Sequence, residues 1–183
     1  SYNEILFFFI KIMLNQTDYN YNPNTIWIAT SARTGSMWAF NVTREIFKVA
    51  GFNVLPTSIP HQASEMANMY KNQALLDENL KNKYVLKVHK ILKPNIKKSK
   101  IITTIRDPRD MCVSYKEFNN CDFEHAFHAA KGLVRLSREY KTYDNSYLCT
   151  IRYEDIENSS IETIFKTLPP FDTNFPLINF VPA

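Results

Sequence analysis

Four short stretches carry the residues whose types and spacing could do chemistry. The first is Ser31-Ala32-Arg33-Thr34-Gly35-Ser36, set after an apolar, β-branched run and before a helical pattern. Arg33 supplies a fixed cation whose planar fork suits phosphate oxygens. Gly35 lets the backbone curl so that successive N–H groups point inward as an anion nest, and Ser36 adds a hydroxyl where a helix begins. An ordinary polar turn has the same composition, so the loop taken alone supports both readings equally. The second stretch is Lys87-Val88-His89. Residues two apart in a strand share a face, which brings an ammonium beside an imidazole. A neutral histidine can take a proton from a hydroxyl, and a lysine can stabilise a leaving phosphate. The third pairs Arg106 with Ser114, two helical turns later, both able to reach one further phosphate. Asp107 and Asp110 between them read as helix-capping residues, and Arg109 as a solvated one. The fourth is Arg152-Tyr153-Glu154-Asp155.

Two absences narrow the chemistry. The triphosphate loop G-x-x-x-x-G-K-[ST] is missing, with neither its first glycine nor its Gly-Lys pair. Magnesium-dependent phosphoryl transfer also places an acidic ligand at the end of a buried strand. Here that position holds His89, and the Asp107-Pro108 helix start already accounts for Asp107. The sequence therefore points to cationic machinery without a metal.

The elements that must position these groups follow from periodicity. Strands are expected over 25–30, 52–55, 83–88, 100–105 and 146–151, the fourth almost continuously apolar or β-branched as a buried parallel strand should be. Helices are expected over 36–50, about 62–80, 108–118, 123–140 and 161–168. The first should turn Trp38, Val42, Ile46 and Val49 to one face and end with Gly51 in the C′ position. Phe127, Ala130 and Val134 should form the inner face of the helix over 123–140. Strands alternating with helices imply an α/β fold: three layers, a mainly parallel sheet of about five strands, helices on both faces. Ligands of such sheets lie at the C-terminal ends of the strands, which is where all four stretches fall.

Bulk properties exclude several classes. The 183 residues, 45% hydrophobic, suffice for one domain spanning 1–183, with 1–24 as an apolar N-terminal extension. A net charge of +4 with 22% charged residues is mild for a nucleic-acid binder and adequate for a small polyanion pocket. Cys112, Cys121 and Cys149 form no C-x-x-C spacing, which disfavours zinc and disulfides and suggests a reducing, cytoplasmic setting. The run from Ile5 to Leu14 is too short for a membrane span, is interrupted by Lys11, and lacks the flanks of a signal peptide. It reads as a packed helix or edge strand, or as residues preceding a start at Met13. Only 3 glycines occur, so each is expected where the backbone needs one.

Taken together, the motifs resemble those of sulfotransferases that use 3′-phosphoadenosine-5′-phosphosulfate (PAPS). SARTGSMW resembles the 5′-phosphosulfate loop, KVHK the catalytic strand end, RDPRDMCVS the 3′-phosphate site and, more weakly, RYEDI a later segment; they occur in order between Ile26 and Ile156. The resemblance implies that Arg33 contacts the phosphosulfate bridge and that Thr34, Gly35, Ser36 and Met37 offer backbone N–H groups to the 5′-phosphate. It further implies that Trp38 stacks on adenine, that Lys87 is a second cation near the transferred group and that His89 is the general base. Arg106 and Ser114 would bind the 3′-phosphate, and Tyr153 would lie beside the adenine. The implied reaction moves a sulfuryl group in line to a hydroxyl or amine of a small-molecule or carbohydrate acceptor and releases 3′,5′-ADP.

The match has departures. Met37 replaces a hydroxyl residue, and the motif wording mixes carbohydrate-type and cytosolic-type members. The chain stops at Ala183 without the Arg-Lys-Gly loop that covers the nucleotide in the cytosolic type, so a compact variant and a protein lacking this cover are both expected forms. A P-loop small-molecule kinase and a non-catalytic nucleotide-binding relative are the alternatives. Residues 56–70 are expected to line an acceptor pocket through His61, Met66, Met69 and Tyr70, although the methionines suit the core as well or better.

Overall fold

The computed structural model describes residues 24–59, 63–90, 99–140, 142 and 148–158, without the side chains of 63–68, 75, 157 and 158. The apolar N-terminal run, His61, the Met66 side chain and the helix expected over 161–168 lie outside the described residues. In chain order the elements are β1 (Thr25–Ala29), α1 (Ser36–Val49), β2 (Asn53–Leu55), α2 (Ala63–Leu76) and β3 (Asn82–Val88). They continue with β4 (Lys100–Ile105), α3 (Pro108–Asn119), α4 (Phe123–Tyr140), β5 (Leu148–Arg152) and α5 (Tyr153–Asn158). The five strands form one sheet in the order β2-β3-β1-β4-β5, every pairing parallel. This is the expected α/β architecture. β1 is buried along its whole length, and β3 and β4 nearly so, as happens when helices cover both faces of a sheet.

The order places β1 at the centre, with later strands added on either side. A loop leaving the C-terminal end of β1 therefore lies over the middle of the sheet, flanked by the ends of β3 and β4. The core beneath it joins Ile26 and Ile28 of β1, Val85 and Leu86 of β3, and Ile101 and Ile102 of β4. Phe40 and Phe47 of α1 close it from above with no exposed surface, each contributing about 2–3 kcal/mol by burial.

Helix α1 differs from its expected orientation. Its buried face comprises Ala39, Phe40, Thr43, Ile46 and Phe47, whereas Trp38 and Val42 lie at the flank and Val49 is half exposed. The periodicity was right and the stripe was displaced by about one residue, because the two phenylalanines bury more surface than the valines. The end of α1 follows expectation. Gly51, at φ 80°, donates to the Lys48 carbonyl and Phe52 donates to the Phe47 carbonyl, the paired bonds of a Schellman cap. The Phe47 and Phe52 rings meet edge to face at 5.6 Å beneath it. Because Phe52 is used in this cap, β2 begins at Asn53.

One further boundary moved, and one helix was not expected. α2 stops at Leu76 rather than near residue 80, because the Asp77 carboxylate organises the turn that follows. It accepts from the Asn79 backbone at 2.9 Å and from the Asn82 amide and the Tyr84 hydroxyl at 2.7 Å each. A short helix, α5, starts directly at Tyr153, with Glu154 and Asp155 in its first turn where the helix dipole favours them. Met69, expected in the core, is 61% exposed, while Tyr70 does pack against it. Cys112, Cys121 and Cys149 are free thiols. Among the described residues no helix is long and apolar enough to cross a membrane.

Candidate active site

The loop from Thr30 to Gly35 is shaped by side chains that bond within the protein. Thr34 is fully buried; its hydroxyl pairs with Thr104 Oγ1 of β4 at 2.7 Å and with the Ser31 carbonyl at 2.7 Å. Ser31 Oγ donates to the Leu133 carbonyl at 2.6 Å and shares a hydrogen bond with Ser137 Oγ, tying the loop to α4. With these anchors fixed, Arg33 takes a left-handed conformation (φ 63°) and Gly35 another (φ 88°). Gly35 is required twice over. A Cβ there would sit 3.0 Å from Tyr153 Cδ2 and 3.2 Å from Ile156 Cδ1, in addition to the backbone strain.

Gly35 is also the N-cap of α1, which has no side-chain cap and no acidic residue in its first turn. The N–H groups at this helix start are thus left for an external acceptor, at the positive end of the dipole. Ser36 is buried, Met37 is half exposed and Trp38 is half-buried against the core.

The end of β3 delivers the second group. β1 and β3 run in register from Thr25↔Tyr84 to Ala29↔Val88, and the Thr30 N–H extends the ladder by donating to the Val88 carbonyl. The Thr30 carbonyl then lies 2.8 Å from His89 Nδ1. A carbonyl only accepts, so Nδ1 carries the proton and Nε2 keeps its lone pair. By area His89 is exposed as a residue, yet its ring rests on the strand ends. Desolvation lowers its pKa below the ordinary 6.5, the Thr30 bond partly opposes this, and the nearby Lys87 charge lowers it further. Lys87 is almost wholly buried, its pKa lowered by desolvation, and its ammonium reaches Met37 Sδ at 2.8 Å. Lys87 and His89 therefore converge, as expected, opposite the start of α1.

The end of β4 supplies Arg106. Its guanidinium carbon stands 3.9 Å from the centroid of the Tyr153 ring, and Nη1 donates to the Arg33 carbonyl at 3.3 Å. Its Nε is buried with no partner among the described residues, a costly state for a charged donor. Arg33 turns the same way: Nε donates to Ser114 Oγ at 3.0 Å, and the guanidinium stacks 4.4 Å above Phe118. Arg33, Arg106, Ser114 and Tyr153 thus form one cluster beside the helix start, and Lys87 with His89 form another. Among the described residues no three His, Cys, Asp or Glu side chains gather where a metal ion could sit.

A family model, the sulfotransferase domain, matches residues 23–166, well over half of the chain. The chain belongs to the sulfotransferase family. No curated protein and no solved structure matches it. Membership of this family accounts for the parallel sheet and makes sulfuryl transfer the general chemistry of the domain.

Within this sulfotransferase domain some supporting residues escaped the sequence reading. Phe118, which stacks under Arg33, lies four residues after Ser114 on the same face of α3, and that spacing was available as a signal. Thr104 and Thr30, which brace the loop and orient His89, carried no such signal. Asp107 is the expected cap: it accepts from the Arg109 N–H at 2.8 Å and is bound side on by the Arg109 guanidinium at 3.0 and 2.6 Å. Arg109 is correspondingly exposed.

Proposed function

We propose that this sulfotransferase domain transfers a sulfuryl group from PAPS to a hydroxyl or amine of a small-molecule or carbohydrate acceptor, releasing 3′,5′-ADP. The observation that carries the reading is the buried Nε of Arg106, which has no partner among the described residues, held beside Ser114 and Arg33 at the edge of a helix start without a side-chain cap. A phosphate would satisfy that donor and accept the N–H groups of the helix start together. The residues present therefore fit a nucleotide carrying separate phosphate groups. Arg106 and Ser114 would hold the 3′-phosphate, and the backbone of Thr34, Gly35, Ser36 and Met37 the 5′-phosphate. Tyr153 and Trp38 would flank the adenine. PAPS, when bound, supplies the activated sulfuryl group.

On the protein side, His89 Nε2 takes the proton from the acceptor, since Nδ1 is occupied by the Thr30 carbonyl. Lowering of the His89 pKa keeps the ring neutral and able to accept at physiological pH. Lys87 and Arg33 stabilise the negative charge left on the nucleotide, and the low-dielectric setting of Lys87 strengthens that effect. No metal is assigned a role in this scheme. The free cysteines agree with a reducing compartment, and we assign the protein to the cytoplasm.

The test has two arms. 3′,5′-ADP without magnesium should raise the melting temperature; stabilisation by ATP with magnesium alone would overturn the reading in favour of a kinase. His89→Ala should leave 3′,5′-ADP affinity nearly unchanged and abolish sulfuryl transfer, followed by mass spectrometry across an acceptor panel. The acidic limb of the parent's pH profile should fall below 6.5, following the lowered pKa of His89. Binding of 3′,5′-ADP without transfer to any acceptor would instead indicate a non-catalytic relative.

A further inference from the structure

Helix α3 has two working faces. Ser114 and Phe118 point to Arg33, as described. Pro108, Arg109, Cys112 and Val113 lie roughly opposite on the 3.6-residue wheel and face α4 across an open groove of about 540 Å³. That volume lies within the range of about 300–1,000 Å³ typical of small-molecule sites. Buried Cys112 and Ala130 form its floor, with Val113 and Val134 at the sides. Phe123 and Phe127, one turn apart, stack at 6.2 Å along one wall and remain 62% and 47% exposed. Phe127 was expected on the inner face of α4, yet it lines this groove instead.

The rim has a single sign of charge. Lys131, Arg135 and Arg138 follow one another at i, i+4 and i+7 along α4, and Arg109 adds a fourth cation from α3. Among the described residues no carboxylate lines the groove. Arg109 already binds Asp107 and Lys131 lies 4.6 Å over the Phe127 ring, leaving Arg135 and Arg138 as the cations best placed for an incoming head group. An apolar floor does not suit a nucleotide, whose many acceptors would lose water without finding donors. A neutral apolar molecule would fill the floor but gain nothing from the rim. The complementary occupant is apolar along its length and negative at one end.

We propose that the α3–α4 groove binds a free anionic amphiphile, an alkyl chain ending in a carboxylate or a sulfate. Its chain lies along Phe123, Phe127 and the valine sides, and its head group meets Arg135 and Arg138. The site stands apart from the nucleotide cluster and does not depend on the function proposed above. The groove's concavity favours an inserted chain over a flat membrane surface.

Decanoate and decanol, titrated in parallel below their aggregation limits, test this directly by calorimetry. Decanoate should bind at one site, and decanol about tenfold or more weaker, the worth of a charge-assisted contact. Arg135→Glu should remove that difference by weakening decanoate alone, while Phe127→Ala should weaken both ligands. Both side chains are exposed at the rim, and circular dichroism confirms that each variant folds; Arg138→Glu repeats the charge test should Arg135→Glu not fold. Equal affinity for the two ligands, or insensitivity to the variants, would overturn the proposal. So would binding to phosphatidylglycerol vesicles without binding of monomeric decanoate, which would assign the surface to a membrane.

Discussion

Helices α1 and α3 each follow the C-terminal end of a buried parallel strand, and their N-termini are built in opposite ways. At α3, Asp107 caps the Arg109 N–H, Pro108 opens the helix and Asp110 sits in the first turn. The Asp107 N–H is itself taken by Glu154 Oε1 at 2.9 Å. Carboxylates of the protein thus satisfy this helix start and repel other anions. At α1 the cap is a glycine, no cap side chain bonds the first turn among the described residues, and that turn contains no acid. Around it stand Arg33, Arg106 and Lys87. Strand order brings both turns to the same end of the sheet. Which of them can receive a phosphate is decided by the caps and the local charge.

The comparison breaks most completely at Gly35. Gly35→Ala forces an L-residue to φ 88° and pushes a methyl group to 3.0 Å from Tyr153. The backbone term alone costs about 1–3 kcal/mol, and relief of the contact would displace α5. We expect a clearly lowered melting temperature and no stabilisation by 3′,5′-ADP. A variant that retained both parental values would show that the shape of this loop is not what forms the site.

Arg106→Ala comes next. Its Nε has no partner to lose among the described residues, but the variant gives up the Nη1 bond to the Arg33 carbonyl and the stack on Tyr153, so the folded state should lose about 1 kcal/mol. Loss of a charge-assisted bond to the nucleotide should weaken 3′,5′-ADP binding by about 1.5–3 kcal/mol, readable by calorimetry. Equal affinity in variant and parent would remove Arg106 from the site and leave α1 as a bare helix start.

Much of this contrast was readable before any coordinates. The Asp-Pro-x-Asp pattern announces a capped helix by local rules alone, and Asp107 caps α3 accordingly. The strand ends were legible because an apolar or β-branched run gives way to polar, helix-starting residues, as β4 does at Arg106-Asp107-Pro108; β3 was read from its Tyr84–Leu86 centre despite Lys83 and Lys87 within it. Long-range choices were hidden. Nothing in the sequence says that Arg33 bonds Ser114, 81 residues away, or that the Thr30 carbonyl fixes the His89 tautomer. The face of α1 was misassigned for a related reason: periodicity gives a stripe, but the weight of Phe40 and Phe47 sets its centre. Phe127 was misassigned because hydrophobicity says that a side chain prefers burial, not that a partner is present to bury it.

Met37→Glu makes α1 resemble α3 and so tests the comparison in both directions. Met37 is half exposed in the first turn of α1, so a carboxylate there meets the helix dipole without a large burial cost. It would also stand where the Lys87 ammonium now touches Met37 Sδ. The unliganded protein should gain about 0.3–1 kcal/mol, while 3′,5′-ADP affinity should fall because the anion site now holds an anion. A joint rise or a joint fall of stability and affinity would contradict the electrostatic account.

Asp107→Ala is the smallest change and the complementary one. Bonding by the Arg109 side chain, and then by the Arg109 N–H, holds the Asp107 carboxyl at a pKa of about 2, against an ordinary value of 3.8. A carboxyl depressed in the folded state stabilises that state above its unfolded pKa and loses the contribution as pH falls through the folded value. The variant should therefore melt slightly below the parent at neutral pH. The gap should hold down to about pH 4 and close as pH approaches 2. Affinity for 3′,5′-ADP should stay level, because this cap serves α3 and not the phosphate. A gap unchanged at pH 2, or a loss of nucleotide affinity, would mean that the two helix starts share one electrostatic role after all.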